Sequence, residues 1–526
     1  MFTSPYPDVA ISEQSIFDYL FGDLDDSDLD RVAVVDGVSG AETTYRDLVT
    51  QIAAIAGALA ARGLAPGDVV GLQCPNTPAF TSVFHGILRA GAAVTTINSL
   101  YTPDEVASQL TDSGATWLIT VSPLLAGAVD AGARVGIDAE HLVVLDGAEG
   151  HPSLRDLLTQ GAAAPQVTFD PATHVAVLPY SSGTTGKAKG VMLSHTNLVA
   201  NVAQCRDLIA VTREDRVLAL LPFFHIYGMT ALLNLAFKQR ARLVTMPRFE
   251  LTEFLRIIQD HACSYVFIAP PVAVALAKHP LVDEYDLSSV HTVLSGAAPL
   301  DGALGDSVAR RLGVRMLQGY GMSELSPVSH VVPRDRTDIP TQSVGITIPN
   351  MVSKLIDTET GEEIEIPSSG VSSAGELLVS GPNVMLGYLG NDEATASTID
   401  AEGFLHTGDI ATVSAEGFVT IVDRLKELIK YKGYQIAPAE LEALLLTHPL
   451  VADAAVIGVR GDDGEEIPKA FIVAADATLT EDEVIAFVAE HVAPYKKVRR
   501  VEFVETIPKS TAGKILRKDL RARESR

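Results

Sequence analysis

The amino-acid sequence predicts an α/β protein with a large N-terminal domain of βα-built sheets, a β-rich subdomain, and a small α+β C-terminal domain. From about residue 68, short apolar runs alternate with helical patterns; VVGLQC, for example, precedes a predicted helix over 77–89. This alternation indicates βαβ units and mainly parallel sheets, whose ligands bind at the carboxyl ends of the strands. Near Asp357 the pattern changes to alternating residues with glycine-bounded turns, which predicts antiparallel strands.

A second change of pattern marks the C-terminal domain. After Asp423 a compact segment begins that has the order helix, strand, strand, helix, in PAELEALLLTHP, DAAVIGVR, KAFIVAA and EDEVIAFVAEHV. We therefore predict a domain boundary at VDRLKE.

Composition and charge restrict the class of protein. The 526 residues are 47% hydrophobic and 20% charged, which is typical of a soluble globular protein. Nucleic-acid binding needs a field of cationic side chains, so the formal net charge of −26 argues against a nucleic-acid partner. The charge is uneven, because residues 496–526 hold eleven Lys or Arg and four Asp or Glu. Such a basic tail folds over an anionic ligand, docks on acidic surface, or stays solvated.

Three features bear on the cellular compartment. The three cysteines are far apart without CxxC spacing, which favours neither a disulfide framework nor a zinc site and suits a reducing cytoplasm. The N-terminus has no basic start followed by an apolar core, so no signal peptide is predicted. Residues 217–237 are uncharged and long enough to cross a bilayer, but Pro222, His225, Gly228 and Asn234 interrupt them. We predict a buried strand, turn and helix there, and no integral membrane segment.

The stretch YSSGTTGKAKGVMLSH, residues 180–195, has the composition of a phosphate-binding loop. It does not fit the nucleoside-triphosphatase pattern GxxxxGK[ST], because only two residues separate Gly183 from Gly186 and because Ala188 follows Lys187. Backbone N–H groups, hydroxyls and a lysine nevertheless suit an anion site of the nest type. A flexible loop is the alternative. The polar side chains are those of Ser181, Ser182, Thr184, Thr185 and Lys189.

Four further segments carry polar residues that are ambiguous one by one. Glu324 in QGYGMSELSP suits Mg²⁺, or begins a helix capped by Ser323. Asp409 in FLHTGDI suits a ribose diol. DRLKELIKYKGYQIAP places three lysines in seven positions, for a polyphosphate or for a solvated face. Lys514 in PKSTAGKILRKDL belongs to a ligand site or to a basic tail.

The order of these motifs is more specific than any one of them. SSGTTGKAKG, GYGMSE, HTGD, DRLKELIKYKGYQIAP and PKSTAGKILR follow each other as in the adenylate-forming superfamily, which the chain resembles over about residues 180–517. This superfamily includes acyl-CoA synthetases, firefly luciferase and nonribosomal adenylation domains. LPFFHIYG, LSGAAPL and IKYKGYQIAPAELE are most similar to 4-coumarate–CoA ligases.

The resemblance implies a domain plan. An AMP-forming N-terminal domain would cover residues 1–422, with its β-rich subdomain at about 340–422. A hinge would cover 423–427. A mobile C-terminal lid domain would cover 428–526.

The resemblance also implies an activity and its residues. The protein would be an ATP-dependent carboxylic acid–CoA ligase that uses Mg²⁺, forms an acyl-AMP, and then forms the CoA thioester. Catalytic roles are implied for Lys514 in adenylation, for Lys430 and Gln435 in thioester formation, and for His225. Metal binding is implied for Thr184 and Glu324, and CoA binding for Arg248, Lys432 and Gly433. ATP or AMP binding is implied for Ser181, Ser182, Gly183, Thr184, Thr185, Lys189, Gly296, Ala297, Ala298, Pro299, Gln318, Gly319, Tyr320, Ser323, Asp409, Arg424 and Lys426.

The acyl pocket is the least determined part of this expectation. The positions that match it are His225, Tyr227, Ala231, Gly296, Gly319, Pro327 and Val328. Glycines at two of these positions leave room for a flat ring or a long chain. An aryl-propenoic acid such as cinnamate or 4-coumarate is the first expectation, and a medium- or long-chain fatty acid is the alternative. An adenylation enzyme that loads a carrier protein is a further alternative.

Overall fold

The computed structural model describes residues 1–181, 188–431, 434–461, 466–510 and 513–524, without the side chains of Tyr434 and Gln435. The strands are β1 (Phe2–Thr3), β2 (Val32–Asp36), β3 (Glu42–Thr44), β4 (Val69–Leu72), β5 (Ala93–Thr96), β6 (Trp117–Thr120), β7 (Leu142–Val144), β8 (Val175–Val177), β9 (Tyr180–Ser181), β10 (Lys189–Ser194), β11 (Arg216–Ala219), β12 (Arg242–Thr245), β13 (Tyr265–Ile268), β14 (Thr292–Ser295), β15 (Arg315–Gly321), β16 (Val328–Val331), β17 (Ile346–Thr347), β18 (Val352–Ile356), β19 (Gly375–Ser380), β20 (Gly387–Tyr388), β21 (Leu405–Val413), β22 (Val419–Arg424), β23 (Ile429–Tyr431), β24 (Tyr434–Ile436), β25 (Val451–Arg460), β26 (Glu466–Ala474) and β27 (Arg500–Phe503).

The α-helices are α1 (Ile16–Phe21), α2 (Asp26–Leu29), α3 (Tyr45–Ala61), α4 (Pro78–Arg89), α5 (Pro103–Ser113), α6 (Leu125–Val135), α7 (Leu154–Thr159), α8 (His195–Ile209), α9 (Leu235–Lys238), α10 (Leu251–His261), α11 (Pro270–Lys278), α12 (Gly302–Leu312), α13 (Asp392–Thr398), α14 (Pro438–Leu446), α15 (Glu481–His491) and α16 (Arg517–Glu524). Short 3₁₀ helices cover Ser122–Leu124, Pro280–Glu284, Ser323–Leu325 and Pro494–Lys496, and a π-helix covers Tyr227–Asn234.

Two large sheets form most of the N-terminal part. The first has the strand order β20-β10-β8-β5-β4-β6-β7, with β9 paired to β10, and the second has the order β17-β16-β15-β14-β13-β11-β12-β2-β3. The central strands of both sheets run parallel, and antiparallel strands flank them. The predicted α/β class with mainly parallel sheets is confirmed.

The core is layered because each sheet is covered on both faces. The largest apolar cluster lies between the two sheets; it includes α3, α4 and α8, with Val70 and Val177 from one sheet and Val34 and Leu243 from the other. A second cluster lies between the nine-stranded sheet and α10, α11 and α12. A third lies between the eight-stranded sheet and α5 and α6. Parallel strands that are covered on both faces require the continuous apolar runs seen in the sequence.

Local capping signals set the helix ends. Thr102 and Glu105 form a capping box at the start of α5, and Gly114 ends that helix with φ +66°. Only a residue without a Cβ adopts this left-handed conformation at low cost, so the helix stops there. Thr77 precedes α4, and the predicted helix over 77–89 is thereby confirmed.

The β-rich part is a five-stranded antiparallel sheet of order β1-β18-β19-β21-β22. The strands β19, β21 and β22, which follow Asp357, are antiparallel as the sequence pattern predicted. Its edge strand β1 comes from the N-terminus, where Phe2 pairs with Ser353. No pattern in the sequence predicted this pairing, because a two-residue strand has too few positions to show alternation.

The C-terminal part has its own core between the sheet β25-β26-β27 and the helices α14 and α15. The predicted order of helix, strand, strand and helix is present as α14, β25, β26 and α15. Lys278 Nζ of the N-terminal part donates a hydrogen bond of 3.2 Å to the Leu446 carbonyl. The two parts are therefore in direct contact.

The uncharged run over 217–237 divides into several short elements. It contains most of β11, a connecting segment, the π-helix Tyr227–Asn234 and part of α9. The predicted strand, turn and buried helix are confirmed, although most of the helix has π rather than α geometry. Among the described residues, no helix combines the length and the apolar character that a bilayer crossing requires.

A buried ion pair fixes the last helix to the C-terminal part. Arg517 donates to both carboxylate oxygens of Glu442, at 2.8 and 2.6 Å, and its Nε donates to the Val456 carbonyl at 3.2 Å. Both side chains are nearly buried. Removal of one partner leaves the other charge buried without compensation, which is strongly destabilising.

We expect the change Glu442→Ala to lower the free energy of unfolding by about 3 kcal/mol, because Arg517 is left buried and unpaired. Urea unfolding followed by circular dichroism measures this loss. The matched control is Glu442→Leu combined with Arg517→Met, which removes both charges and should recover most of the stability. If the double variant is as unstable as the single one, the ion pair is not the cause.

Candidate active site

A cavity of about 780 Å³ lies where the two large sheets, the β-rich sheet and the C-terminal part meet. Residues that follow the carboxyl ends of β5, β8, β11 and β14 line it, as do residues of β15, β21 and the segment before α16. This is the edge where α/β sheets bind ligands.

The cavity is more positive than the rest of the protein. Among the described lining residues, six cations face four carboxylates, whereas the whole chain has a net charge of −26. The cations are Lys189, Arg424, Lys426, Lys509, Lys514 and Lys518, and the carboxylates are Glu105, Glu324, Glu376 and Asp409. An excess of one sign of charge inside a low-dielectric wall concentrates ligands of the opposite sign. The cavity therefore suits an anionic ligand.

Lys514 reaches this cavity from a tight turn of the C-terminal part. The Ser510 N–H donates to the Lys514 carbonyl at 2.8 Å, and the Lys514 N–H donates to Ser510 Oγ at 3.1 Å. Gly513 has φ +79°, and a Cβ there would lie 3.2 Å from Pro271 Cγ at the start of α11. A glycine is thus needed both for the turn and for its close approach to the N-terminal part.

The Lys514 ammonium is close enough to Asp409 and Glu324 for both carboxylates to affect its pKa. Burial, and then the positive charge of Arg424, lowers the pKa of Lys514 to about 8, while Asp409 and Glu324 act in the opposite direction. A lysine with a lowered pKa in a cleft is typical of functional sites. The structure therefore brings Lys514 together with Asp409 and Glu324.

Asp409 is held by residues from two different sheets. Tyr320 donates its hydroxyl to Asp409 Oδ2 at 2.5 Å, and Arg424 Nε lies 3.5 Å from Oδ1. Arg424 is the cross-strand partner of Asp409 in the β21–β22 pair. Burial, followed by the charge of Asp409, raises the pKa of Tyr320 well above its usual value, so the phenol stays a donor. The carboxylate is fixed in the cavity wall.

Glu324 lies at the end of the cavity where β9 and β10 pair. Ser181 and Tyr388 both donate hydroxyl hydrogen bonds to Glu324 Oε1, at 3.1 and 2.9 Å. Lys189 is the cross-strand partner of Ser181, so these residues flank the segment over 182–187.

The residues near Glu324 fit a magnesium ion that is shared with a phosphate substrate. No hydrogen bond within the described residues reaches Glu324 Oε2. Mg²⁺ is commonly bound through one or two carboxylates together with substrate phosphates. The described residues contain no group of three or more His, Cys, Asp or Glu side chains that could hold a metal by themselves. The donor set therefore suits a shared ion rather than an all-protein cage.

The apolar end of the cavity is shaped by Tyr227. Its hydroxyl donates to the Leu294 carbonyl at 3.3 Å, and a Cβ on Gly296 would lie 2.8 Å from its ring. The space beside Gly296 is thus occupied by that ring. A Cβ on Gly319 would make ordinary van der Waals contacts at 3.6 Å or more, so a methyl group would fit there. Ile209, Ala231, Leu294, Val328 and Val331 complete this apolar wall.

His225 also lines the cavity. Burial, and then the charge of Lys514, lowers the pKa of His225 to about 4. The imidazole is therefore neutral near pH 7, where it can donate or accept one hydrogen bond but carries no charge.

Most sequence-predicted residues that the structure describes line this one cavity. They are Ser181, Lys189, His225, Tyr227, Ala231, Gly296, Ala297, Gly319, Tyr320, Ser323, Glu324, Pro327, Val328, Asp409, Arg424, Lys426 and Lys514. Ser182, Gly183, Thr184, Thr185, Lys432, Gly433 and the side chain of Gln435 lie outside the described part.

Five predicted residues do not line the cavity. Gln318 instead bonds to backbone groups of Leu300 and Thr341, and its side chain supports the wall from behind. Ala298 and Pro299 lie beyond the lining segment, and Arg248 and Lys430 are exposed elsewhere.

Several lining residues were not predicted from the sequence. Tyr180, Tyr388, Glu376 and His406 all face the cavity. Tyr180 is next to the predicted Ser181, and His406 begins the HTGD motif that contains the predicted Asp409, so both had a usable signal. Tyr388 in GYLG follows no pattern that predicts a site.

Family models match both parts of the chain. Residues 25–389 match a model described as AMP-binding enzyme, and residues 440–514 match one described as AMP-binding enzyme C-terminal domain. A curated relative, 4-coumarate–CoA ligase 5 of Oryza sativa subsp. japonica, is 41% identical over 99% of this chain and 97% of its own length. Probable 4-coumarate–CoA ligase 1 of Dictyostelium discoideum is 40% identical with the same coverage.

A solved structure allows a comparison of conformation. ATP-bound MatB from Rhodopseudomonas palustris is 29% identical and has a TM-score of 0.87, with 97% of this chain and 98% of that chain covered. Apo MatB, with the same identity and coverage, has a TM-score of 0.77. The present conformation is thus nearer to the ATP-bound form of that protein. The sequence resemblance is confirmed, and the chain belongs to the AMP-binding enzyme family.

Proposed function

We propose that this protein is an ATP-dependent carboxylic acid–CoA ligase that activates an aryl-propenoic acid as its acyl-AMP. The observation that carries the proposal is the meeting of Lys514, Asp409 and Glu324 in one cavity, since they come from three distant motifs. The full-length relatives named 4-coumarate–CoA ligase support an aryl substrate over a fatty acid or a carrier-protein partner.

The chemistry requires an activated acyl group. A carboxylate oxygen of the acid attacks the α-phosphorus of ATP, and the bond to pyrophosphate breaks. Negative charge accumulates around this phosphorus, so fixed cations and donors stabilise the transition state. In the proposal Lys514 supplies the cation, Asp409 binds the ribose hydroxyls, and the apolar wall binds the ring.

Mg²⁺ belongs to the same proposal. Glu324, with Thr184, would hold it, and its charge would offset that of the phosphates. Other roles do not depend on the ion: Lys189 binds phosphate oxygens, Ser181 lies beside the phosphates and donates to Glu324, and Tyr320 orients Asp409.

Thioester formation needs a different neighbour for the acyl carbonyl. The CoA thiolate attacks that carbonyl, and AMP leaves with the electron pair of the broken C–O bond. We assign this step to the loop that holds Lys430, Lys432, Gly433 and Gln435, with Arg248 on CoA. Rotation about a hinge at residues 423–427 would exchange Lys514 for this loop. Closure in either state keeps water from the anhydride.

Substrate profiling tests the proposed function. We expect cinnamate-type acids to give the highest kcat/KM for pyrophosphate release, with benzoates and C6 to C16 fatty acids lower. Cinnamate should react at least as well as 4-coumarate, because the Tyr227 hydroxyl already donates to Leu294. Assays with and without CoA separate the alternatives. A preference for hexadecanoate would favour the fatty-acid alternative, and adenylate without thioester would favour carrier loading.

The two half-reactions should separate in lysine variants. Lys514→Ala should slow acyl-AMP formation on the order of a hundredfold, as expected for the loss of one transition-state donor. It should still convert supplied acyl-AMP to thioester. Lys430→Ala should show the opposite bias, because Lys430 lies outside the present cavity. Equal loss of both half-reactions in both variants would contradict the two-state proposal.

Adenylation should depend on pH through Lys514. The ammonium is protonated at pH 7 and loses its charge as the pH rises through about 8. Since kcat/KM reports the free enzyme, it should fall about tenfold per pH unit above that value. The kcat limb should lie at higher pH, because bound ATP favours the charged lysine. Lys514→Arg should be slower but free of this limb, since arginine stays charged. If kcat/KM of Lys514→Arg still falls above pH 8, a group other than Lys514 causes the fall.

A further inference from the structure

Tyr388 contacts two charged groups of opposite sign at the phosphate end of the cavity. It lies on β20, is 6% exposed, and lines the cavity. None of the motifs that predicted the site includes it. Its position nevertheless joins Glu324, which follows β15, to Lys189, which begins β10.

The phenol hydroxyl fixes one oxygen of Glu324. It donates to Glu324 Oε1 at 2.9 Å, and Ser181 donates to the same oxygen at 3.1 Å. Two neutral donors on one oxygen hold the carboxylate in a single orientation and leave its full charge. Hydrogen bonds to ionised acceptors are the stronger ones in proteins.

The ring face holds Lys189. The Lys189 Nζ lies 4.5 Å from the centroid of the Tyr388 ring, within the range of a cation–π contact. No salt bridge joins Lys189 to Glu324, although the structure describes both side chains. A direct ion pair between the two would partly neutralise each charge. The tyrosine contacts both groups and keeps them apart.

The backbone of β20 is fixed to the elements that carry these two groups. Tyr388 is the cross-strand partner of Val191 on β10, and the Leu389 N–H donates to the Gly190 carbonyl at 2.9 Å. The Met385 N–H donates to the Glu324 carbonyl, also at 2.9 Å. The ring therefore has a defined place relative to both charges.

We propose that Tyr388 is a positioning residue that orients Glu324 for a phosphate-bound Mg²⁺ and prevents Lys189 from pairing with it. This inference rests on the proposed function, because it assumes that ATP occupies the cavity. Tyr388 acts through its neighbours and has no covalent role.

Two variants separate the hydroxyl from the ring. Tyr388→Phe keeps the ring face for Lys189 and removes the donor to Glu324. We expect ATP affinity without Mg²⁺ to change less than twofold, and the gain in affinity on addition of Mg²⁺ to fall about tenfold. Tyr388→Leu also removes the ring, so ATP affinity without Mg²⁺ should fall a further threefold or so.

Isothermal titration of ATP into the full chain, in EDTA and in MgCl₂, measures both quantities without turnover. The control is Tyr45→Phe, which removes a buried phenol hydrogen bond of 2.9 Å to the Ala241 carbonyl, away from the cavity. Like Tyr388→Phe, Tyr45→Phe removes one hydroxyl from a buried tyrosine. Thermal unfolding of all variants gives their Tm values. These show whether a smaller Mg²⁺-dependent gain in ATP affinity is explained by a loss of stability.

Each result supports or overturns the positioning role of Tyr388 or the proposed function. A reduced Mg²⁺ gain in Tyr388→Phe, with wild-type gain in Tyr45→Phe, supports the positioning role. An unchanged gain in Tyr388→Phe, or a loss that the control shares in proportion to its fall in Tm, overturns it. If the wild-type protein binds no ATP in either buffer, the proposed function fails instead.

Discussion

The site depends on one costly placement, a lysine from the C-terminal tail inside a cavity built by the N-terminal part. Burial disfavours the ammonium, and Arg424 repels it, so the pKa of Lys514 falls to about 8. Asp409 and Glu324 offset part of this cost. The rest depends on the docking of the two parts, at Gly513 against Pro271 and at Lys278 on Leu446. An anionic ligand in the cavity would favour the charged lysine, so ligand binding and this docking should stabilise each other.

The two carboxylates of the cavity are held in a similar way. Each accepts a hydrogen bond from a tyrosine, Tyr320 for Asp409 and Tyr388 for Glu324. A phenol orients a carboxylate but does not neutralise it, whereas a lysine or arginine partner would do both. Arg424 is a charged neighbour of this kind, with its Nε 3.5 Å from Asp409 Oδ1. Oriented carboxylates that keep their charge remain available for a ribose or a metal ion, which is consistent with the proposed roles.

The conformation explains why two conspicuous lysines have different surroundings. Lys514 lines the cavity, whereas Lys430 is exposed and its backbone N–H bonds to Glu466 in the C-terminal part. Both belong to the C-terminal part, and the present orientation brings only Lys514 to the cavity. The greater similarity to ATP-bound than to apo MatB agrees with an arrangement suited to the first half-reaction. In the proposed function, the second half-reaction would use the hinge at residues 423–427.

The sequence by itself determined the α/β class and the order of elements such as α14, β25, β26 and α15, because apolar periodicity depends on neighbours in the chain. The order of its motifs, through the family resemblance, also predicted seventeen of the residues that line the cavity. Tertiary structure alone decided how distant segments face each other. It placed Tyr388 against Glu324 and directed Gln318 away from the cavity to Leu300. It also paired the N-terminal β1 with β18. Side-chain direction and long-range pairing follow from packing between remote elements, which no local pattern contains.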